Sequence, residues 1–460
     1  MTSDDTTSTP ALDALDAALA QGDIGAVRRR LARLDETDRA VLREQLGEAT
    51  YAQVYRTMRN QRRGRPRGKV IVLHGIMGSR LAVRRNRDVD NVWINYWRLA
   101  TGRFAELELT EAGAPANPKV DVIVKGQQKK YYLPMVLQLD RRWTVQPFAY
   151  DWRRDIRHSA EALKDTIERF AGDDPLHLVA HSMGGLVVRY LIHRYPALWA
   201  RLGDTNDPGR GGRLIMLGTP NHGAYAIPLA MTGAERQLRL LAGLDLKHGL
   251  DEVTRIANTF CGSYQLLPSP FVDLGDDHRR LYERSSWGDH AVRAPLLKRA
   301  REFHDELRPV VDAQRFVYVA GYDRTTPHRV HIEVPGRFTY ELTQHGDGRV
   351  PHELGQLPGV PTWWVDARHG DLARDADVLD AIDGLLEHGR TDVLHAQRPA
   401  TRTVADRTRR AAETLVAQDP AIDALLARET RSKRPRRSRL SPSEQRQIEA
   451  ALSGTVDDRR

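Results

Sequence analysis

An apolar run, LHLVA at 176–180, passes without a break into His181-Ser182-Met183-Gly184-Gly185 and then into LVVRYLIHRY, a stretch with helical periodicity. A buried strand that meets a helix through so short a turn can be built in few ways. The chain must turn tightly enough to lift the serine hydroxyl above the end of the sheet, which requires small residues two before and two after it. Ala180 and Gly184 meet that requirement, with alanine where glycine often stands in G-x-S-x-G. The following helix aims its first N–H groups and its positive dipole end at any anion that develops beside the serine. Ser182 is therefore read as a nucleophile and the Met183 N–H as one oxyanion donor, against the plainer alternative of a serine that caps the helix.

From Lys69 onward the same alternation repeats. KVIVLH, TVQPFAY, LHLVA, RLIML and FVYVA are short and mostly apolar, as strands buried on both faces should be. RRDIRHSAEALKDTIERFAG and MGGLVVRYLIHRYP between them carry helical spacing. Strands alternating with helices require crossovers and predict an α/β fold with a mostly parallel sheet flanked by helices. Residues 223–312 interrupt the rhythm with helical stretches and no strong strand, and are read as a helical cap insertion over the carboxyl edge of the sheet. RVHIEV, FTYEL and TWWV follow as strands, then a terminal helix in LARDADVLDAIDGLLEHG. Ahead of this body, apolar residues from Leu12 to Leu46 predict two or three short helices, closed by the basic linker RNQRRGRPRGK. Beyond it, ETLVAQDPAIDALLA is a candidate helix, and SPSE at 441–444 is a capping box that starts another. The expected division is a helical N-terminal extension and linker over 1–66, a catalytic body over 67–390, and an Arg-rich, partly helical or disordered C-terminal extension over 391–460.

A second oxyanion donor has to come from the loop after an earlier strand. KVIVLH runs into Gly75-Ile76-Met77-Gly78-Ser79, where the glycines let the backbone approach a substrate and the Ile76 N–H is the expected donor. His74 is read as a structural hydrogen-bonder, because the base in such a layout comes last in the chain. The order nucleophile, acid, histidine directs the search for the other two partners. Asp347, in the glycine-rich turn QHGDGRVP after FTYEL, is the candidate acid, and His369, in DARHG after TWWV, is the candidate base. The acid would orient the imidazole and stabilise its protonated form. The imidazole would take the serine proton and return it to the leaving alcohol. Asp366 and Asp371 compete for the first role, and His345 and His352 for the second.

The formal charge of +9 is unevenly placed. Six cations at 59–69 (Arg59, Arg62, Arg63, Arg65, Arg67, Lys69) and six at 431–439 (Arg431, Lys433, Arg434, Arg436, Arg437, Arg439) exceed that whole excess, so the body between them is near neutral. Nucleic acid is therefore not an expected partner. Solvated linkers are the plain reading of both clusters, and peripheral contact with anionic lipid headgroups is the functional one. No window approaches the roughly 18 apolar residues of a membrane helix, and the acidic start MTSDDTTSTP lacks the features of a secretory signal. The single cysteine, Cys261, cannot form an internal disulfide. Together these predict a cytoplasmic protein. No Cys/His set has metal-ligand spacing, and HGIMGS lacks the lysine of a nucleotide-binding loop, so neither metal nor organic cofactor is expected.

VIVLHGIMGSRL, VWINYWRLATGRFAELEL, FAYDWR, HSMGGLVVRYLI, SYQLLPSP and GDGRVP occur in that order. Together they resemble the lecithin:cholesterol acyltransferase-like lipases and acyltransferases, one branch of the α/β-hydrolases. The likeness runs over about residues 69–388 and implies an α/β-hydrolase fold acting on a lipid ester. Animal members carry disulfides, including one in the lid; here the lid must be held by packing alone or be mobile. The His-Gly of the oxyanion loop is closer to bacterial lipases. In YDWR, Arg153 is expected to pair with an acidic group and fix a loop. Trp152 and Trp93 have two readings, core packing or the lining of an acyl or headgroup pocket. Asn221, in GTPNHG, has the pocket edge as its functional reading.

The leading function is a serine-dependent lipid ester hydrolase, lipase- or phospholipase A-like, or an O-acyltransferase, with a lipid or small ester as partner. An esterase, amidase or peptidase is the second, since the fold hosts many reactions. A non-catalytic lipid- or partner-binding module is the third, and the apparent triad argues against it.

Overall fold

The computed structural model describes residues 8–59, 64–85, 88–204, 206–400, 409–411 and 440–452. In chain order the strands that build the site are β1 (Lys69–Leu73), β2 (Ser79–Arg85), β3 (Asp88–Trp93), β4 (Asp121–Gln127), β5 (Thr144–Phe148), β6 (Leu176–His181), β7 (Leu214–Leu217), β8 (Phe316–Gly321), β9 (Thr326–Val334), β10 (Arg337–Thr343) and β11 (Thr362–Val365). The central sheet has the order β11-β8-β7-β6-β1-β5, and every neighbouring pair is parallel. This is the α/β-hydrolase arrangement, with β6 near the middle.

The period of two along each strand divides its side chains between two cores. Ile71, Leu73, Leu178, Ala180, Leu214, Met216, Phe316 and Tyr318 belong to one. Val70, Val72, Val145, Val179, Ile215, Leu217, Val317 and Val319 belong to the other. The first core is closed by the helices Ile156–Ala171 and Met183–Arg194 and by the inner face of Ala294–Leu307. Lys129–Leu139 and Ala376–His388 close the second. With both faces covered, a parallel strand has no polar side, which is why these segments read as unbroken apolar runs.

The N-terminal extension holds four helices, Pro10–Gln21, Ile24–Arg33, Glu36–Leu46 and Glu48–Arg59, where two or three were expected. Gly47, with φ of 79°, ends the third, and Tyr51 and Val54 give the fourth a buried side that a reading stopping at Leu46 leaves out. Leu12, Leu15, Val27 and Leu31 join Val70, Tyr131 and Leu137 in the second core. The extension therefore packs onto the body as one more layer.

Between β1 and β5 lies a small antiparallel sheet, β3-β2-β4, that the sequence reading did not separate from the surrounding loop. Its strands are partly exposed and carry charges (Arg84, Arg85, Asp88, Asp90), so no apolar run marks them. RVHIEV and FTYEL form strands, but they lie outside the central sheet. They make the hairpin β9-β10 around Pro335-Gly336, and its Phe338 packs edge-on against Trp287 of the cap.

The cap occupies the connection from β7 to β8, with helices Ala226–Met231, Arg236–Leu244, Leu250–Ala257, Cys261–Tyr264 and Asp276–Arg280. The helix Ala294–Leu307 returns from it to the flanking layer, where Phe303 stacks on Tyr190 with ring centres 5.9 Å apart. At the C-terminus the expected capping box forms. Ser441 N–H donates to Glu444 Oε2 at 2.7 Å and Glu444 N–H to Ser441 Oγ at 3.3 Å, opening the helix Pro442–Leu452. Ile448, Ala451 and Leu452 bury into the first core. The candidate helix in ETLVAQDPAIDALLA and the cations at 431–439 lie outside the described residues. Among the described residues no helix is long and apolar enough to cross a membrane.

Candidate active site

β6 ends at His181 and its helix begins at Met183, so Ser182 alone makes the turn. Its φ of 53° and ψ of −125° are strained for a non-glycine residue. The turn persists because Gly184 and Gly185, two and three residues on, have no side chain. A Cβ on Gly184 would stand 2.7 Å from the carbonyl oxygen of His74 and 3.0 Å from Leu73 Cβ. On Gly185 it would stand 2.1 Å from Thr219 Oγ1 and 2.6 Å from Thr219 Cγ2. Thr219 is fully buried and has nowhere to go. Gly185→Ala is expected to cost about 1–3 kcal/mol, seen as a lower midpoint in urea; an unchanged midpoint would refute the packing argument.

Two loops bring the partners. His369, in the short turn after β11, has its Nε2 2.9 Å from Ser182 Oγ. Its Nδ1 lies 2.8 Å from Asp347 Oδ2, in the loop after β10. The other carboxylate oxygen, Oδ1, accepts from the Arg349 N–H at 3.0 Å and the Val350 N–H at 2.8 Å. Asp347's own carbonyl accepts from the His369 N–H at 2.9 Å. Burial pushes the Asp347 carboxyl upward, but the adjacent imidazole and these hydrogen bonds outweigh it and hold the group below the usual carboxylate range. The rivals are engaged elsewhere. Asp366 pairs with Arg324 at 2.6 Å and Asp371 with Arg374 at 2.5 Å. His352 bonds the Gly321 carbonyl at 2.9 Å, and His345 stacks beside His352.

The loop after β1 lies directly against the serine. A Cβ on Gly75 would meet Ser182 Cβ at 2.8 Å and Oγ at 3.3 Å. Among the described residues neither the Ile76 nor the Met183 N–H is given to a protein acceptor. Met77 has φ of 59°, and its carbonyl accepts from Trp93 Nε1 at 3.2 Å. His74 is a structural bonder: Nδ1 donates to the Gly75 carbonyl at 2.7 Å, Nε2 accepts from the Tyr150 N–H at 3.0 Å, and its ring stacks on Tyr150 at 4.0 Å.

Residues 136–295 match the family model described as lecithin:cholesterol acyltransferase (LCAT). Over those residues the chain is similar to that family, and its sheet order is that of an α/β-hydrolase. At the family level that likeness supports a lipid ester hydrolase or acyltransferase. The match spans the elbow and most of the cap but ends before Asp347 and His369, which rest on geometry alone. Similar solved structures include a Tle4–Tli4 complex at 16% identity, covering 69% of this chain and 98% of that one with a TM-score of 0.42. The mature lipase BlEst2 of Bacillus licheniformis is 13% identical over 71% of this chain and 96% of its own, with a TM-score of 0.35. The phospholipase PlaB from Legionella pneumophila is 17% identical over 55% and 39%, with a TM-score of 0.25. No curated relative matches the chain.

Trp93, Trp152 and Asn221, considered above for pocket roles, are packed in the interior. Trp93 and Trp152 are 3% and 2% exposed and meet edge to face at 5.6 Å, in a cluster with Phe104 and Phe260. Asn221 is buried, with its amide donating to the Gly355 carbonyl at 2.6 Å and its carbonyl groups receiving the Arg189 guanidinium. Arg153 does what its pattern suggested, chelating Asp151 at 2.6 and 2.9 Å and donating to the Leu107 carbonyl at 2.7 Å. The sequence reading missed Arg349, two residues after the acid. Its guanidinium donates to Glu235 Oε1 at 2.8 Å and Gln237 Oε1 at 3.0 Å, tying the acid turn to the cap. Only a charge next to the motif pointed to it. Ser182 is 4% exposed beneath this closed arrangement. Among the described residues no His, Cys, Asp and Glu group is placed to hold a metal ion.

Burial also holds several imidazoles neutral. It pulls His74 and His352 down to about 4, and His177, His181 and His304 to about 3. The unfolded chain, whose histidines titrate near 6.5, binds protons that the folded one refuses as pH falls below that value. Folded stability should therefore be full above pH 6.5 and decline on acidification, by up to about 1.4 kcal/mol per pH unit for each such histidine. Urea midpoints measured between pH 7 and pH 5 should fall steadily; a flat profile would contradict the assignment.

Proposed function

We propose that this protein is a serine-dependent lipid ester hydrolase of the lipase or phospholipase A type, able to hand its acyl group to an alcohol as well as to water. Ser182, Asp347 and His369 are its catalytic residues, and the Ile76 and Met183 N–H groups form its oxyanion hole. The observation that carries this reading is the unbroken line Asp347–His369–Ser182, at 2.8 and 2.9 Å, ending on a strained serine.

Ser182 Oγ attacks the ester carbonyl as its proton passes to His369 Nε2. Charge gathers on the former carbonyl oxygen, where two fixed N–H donors stabilise it more than the neutral ester. His369 then protonates the departing alcohol, and the acyl group stays on Ser182. Water or a second alcohol, deprotonated by the same imidazole, releases it.

The LCAT likeness favours a lipid over a small polar ester. An ester carbonyl must come within about 3–3.5 Å of Oγ, and a serine 4% exposed cannot offer that to a lipid until the cap shifts. The cations at 59–69 and 431–439 are suited to anionic headgroups and would hold the protein at a membrane surface. The test is mass spectrometry of products after incubation with mixed phospholipids, an acylglycerol and a free alcohol. Released fatty acid marks hydrolysis, and an acylated alcohol marks transfer. Peptide or amide cleavage with no acyl-ester turnover would overturn the proposal.

A further inference from the structure

Two buried polar side chains beside the site have no part in the steps above. Tyr132, on the Lys129–Leu139 helix, is 2% exposed, and His181, the last residue of β6, is 6% exposed. Tyr132 Oη lies 3.0 Å from the Gly75 nitrogen and 2.9 Å from His181 Nδ1. His181 Nε2 lies 2.8 Å from the carbonyl oxygen of His369.

Proton bookkeeping leaves one arrangement. A carbonyl can only accept, so His181 Nε2 carries the proton and donates to His369. In a neutral imidazole Nδ1 is then an acceptor, and the Tyr132 hydroxyl gives it its only proton. The Tyr132 oxygen is left to accept from the Gly75 N–H. The chain of donation runs Gly75 to Tyr132 to His181 to His369 with no polar atom wasted. Burial favours the neutral imidazole that this order requires.

We propose that Tyr132 and His181 are positioning residues that set the oxyanion loop and the general base against one another. Gly75 precedes Ile76, so the bond to the Gly75 N–H anchors the residue whose torsions set where the next N–H points. The His369 carbonyl fixes the backbone that carries the imidazole. The oxyanion donor at 76 and the base at 369 come from opposite ends of the body. Other bonds hold each loop separately, His369 to Asp347 and Met77 to Trp93, but neither of these joins the two loops to one another. The relay adds that link without touching substrate, and it rests on the catalytic reading given above.

The test uses the full chain, with kcat counted per active site by fluorophosphonate titration and KM measured on the same ester. Tyr132→Phe removes one hydroxyl and keeps the ring. It should lower kcat about tenfold to a hundredfold, with KM within about twofold and a thermal midpoint within a few degrees of wild type. His181→Phe should lower kcat at least as far. His181→Gln, whose amide can donate to the His369 carbonyl and accept from Tyr132, should recover part of the loss. A purely structural role would cut the number of titratable sites and the thermal midpoint while leaving kcat per site unchanged, and that result overturns the proposal. Ser182→Ala runs in parallel. If it retains activity, the catalytic reading falls and takes the relay with it. If it is inactive while Tyr132→Phe and His181→Phe match wild type in kcat, the relay alone is overturned.

Discussion

Ser182→Ala should lower ester turnover by about a million-fold, effectively to background. It should leave the fold intact, because alanine meets the same strained backbone that serine already tolerates and, among the described residues, the hydroxyl bonds only His369. The size of the loss follows from chemistry that cannot be shared: without the oxygen there is no acyl-enzyme, and the oxyanion donors alone are worth only a small part of the barrier. Turnover of a chromogenic ester and of a phospholipid should vanish together. Persistence of either would mean that a second site is responsible.

Asp347→Asn should reduce kcat by about ten-thousand-fold, for a reason the hydrogen bonds make specific. Oδ1 of Asp347 sits between two backbone donors, the N–H groups of Arg349 and Val350. In the amide that place goes to the oxygen, so the NH2 group must face His369 Nδ1. The imidazole then accepts at Nδ1 and keeps its proton on Nε2, where it can no longer take one from Ser182. The acid also gives stability a pH dependence. Its carboxyl is held below the usual range, so its contribution is full above the ordinary carboxylate pKa and is lost as pH falls toward the folded value. The amide variant should lack that component. A loss of activity of tenfold or less would contradict the assigned geometry.

Much of this was legible in the chain itself. Strands buried on both faces are recognisable as KVIVL, LHLVAH and FVYVAG because burial on two sides leaves no polar alternation. The elbow is recognisable because a serine between a strand and a helix needs small neighbours. The acid and base could be ordered after it because each sits in a turn that follows a strand. Other features depend on contacts between distant residues. The strands β2, β3 and β4 are half-exposed and charged, so their pairing registers only once they meet. Trp93 and Trp152 could face a core or a pocket, and only Phe104 and Phe260 decide between the two. Gly184 and Gly185 read as small residues, yet the reason for them, His74 and Thr219, lies elsewhere in the chain. Tyr132 and His181 are 49 positions apart, and nothing in KKYYLPMVLQL or LHLVAH singles out their bond.

The central claim is a covalent acyl group on Ser182. The direct measurement is peptide mass mapping after rapid acid quench of the enzyme with an excess of a slowly deacylating ester. The account predicts a peptide containing His181-Ser182-Met183 heavier by one acyl group, absent from Ser182→Ala and barely formed in His369→Ala. An acyl adduct on any other residue, or full turnover with Ser182 unmodified throughout, would contradict it.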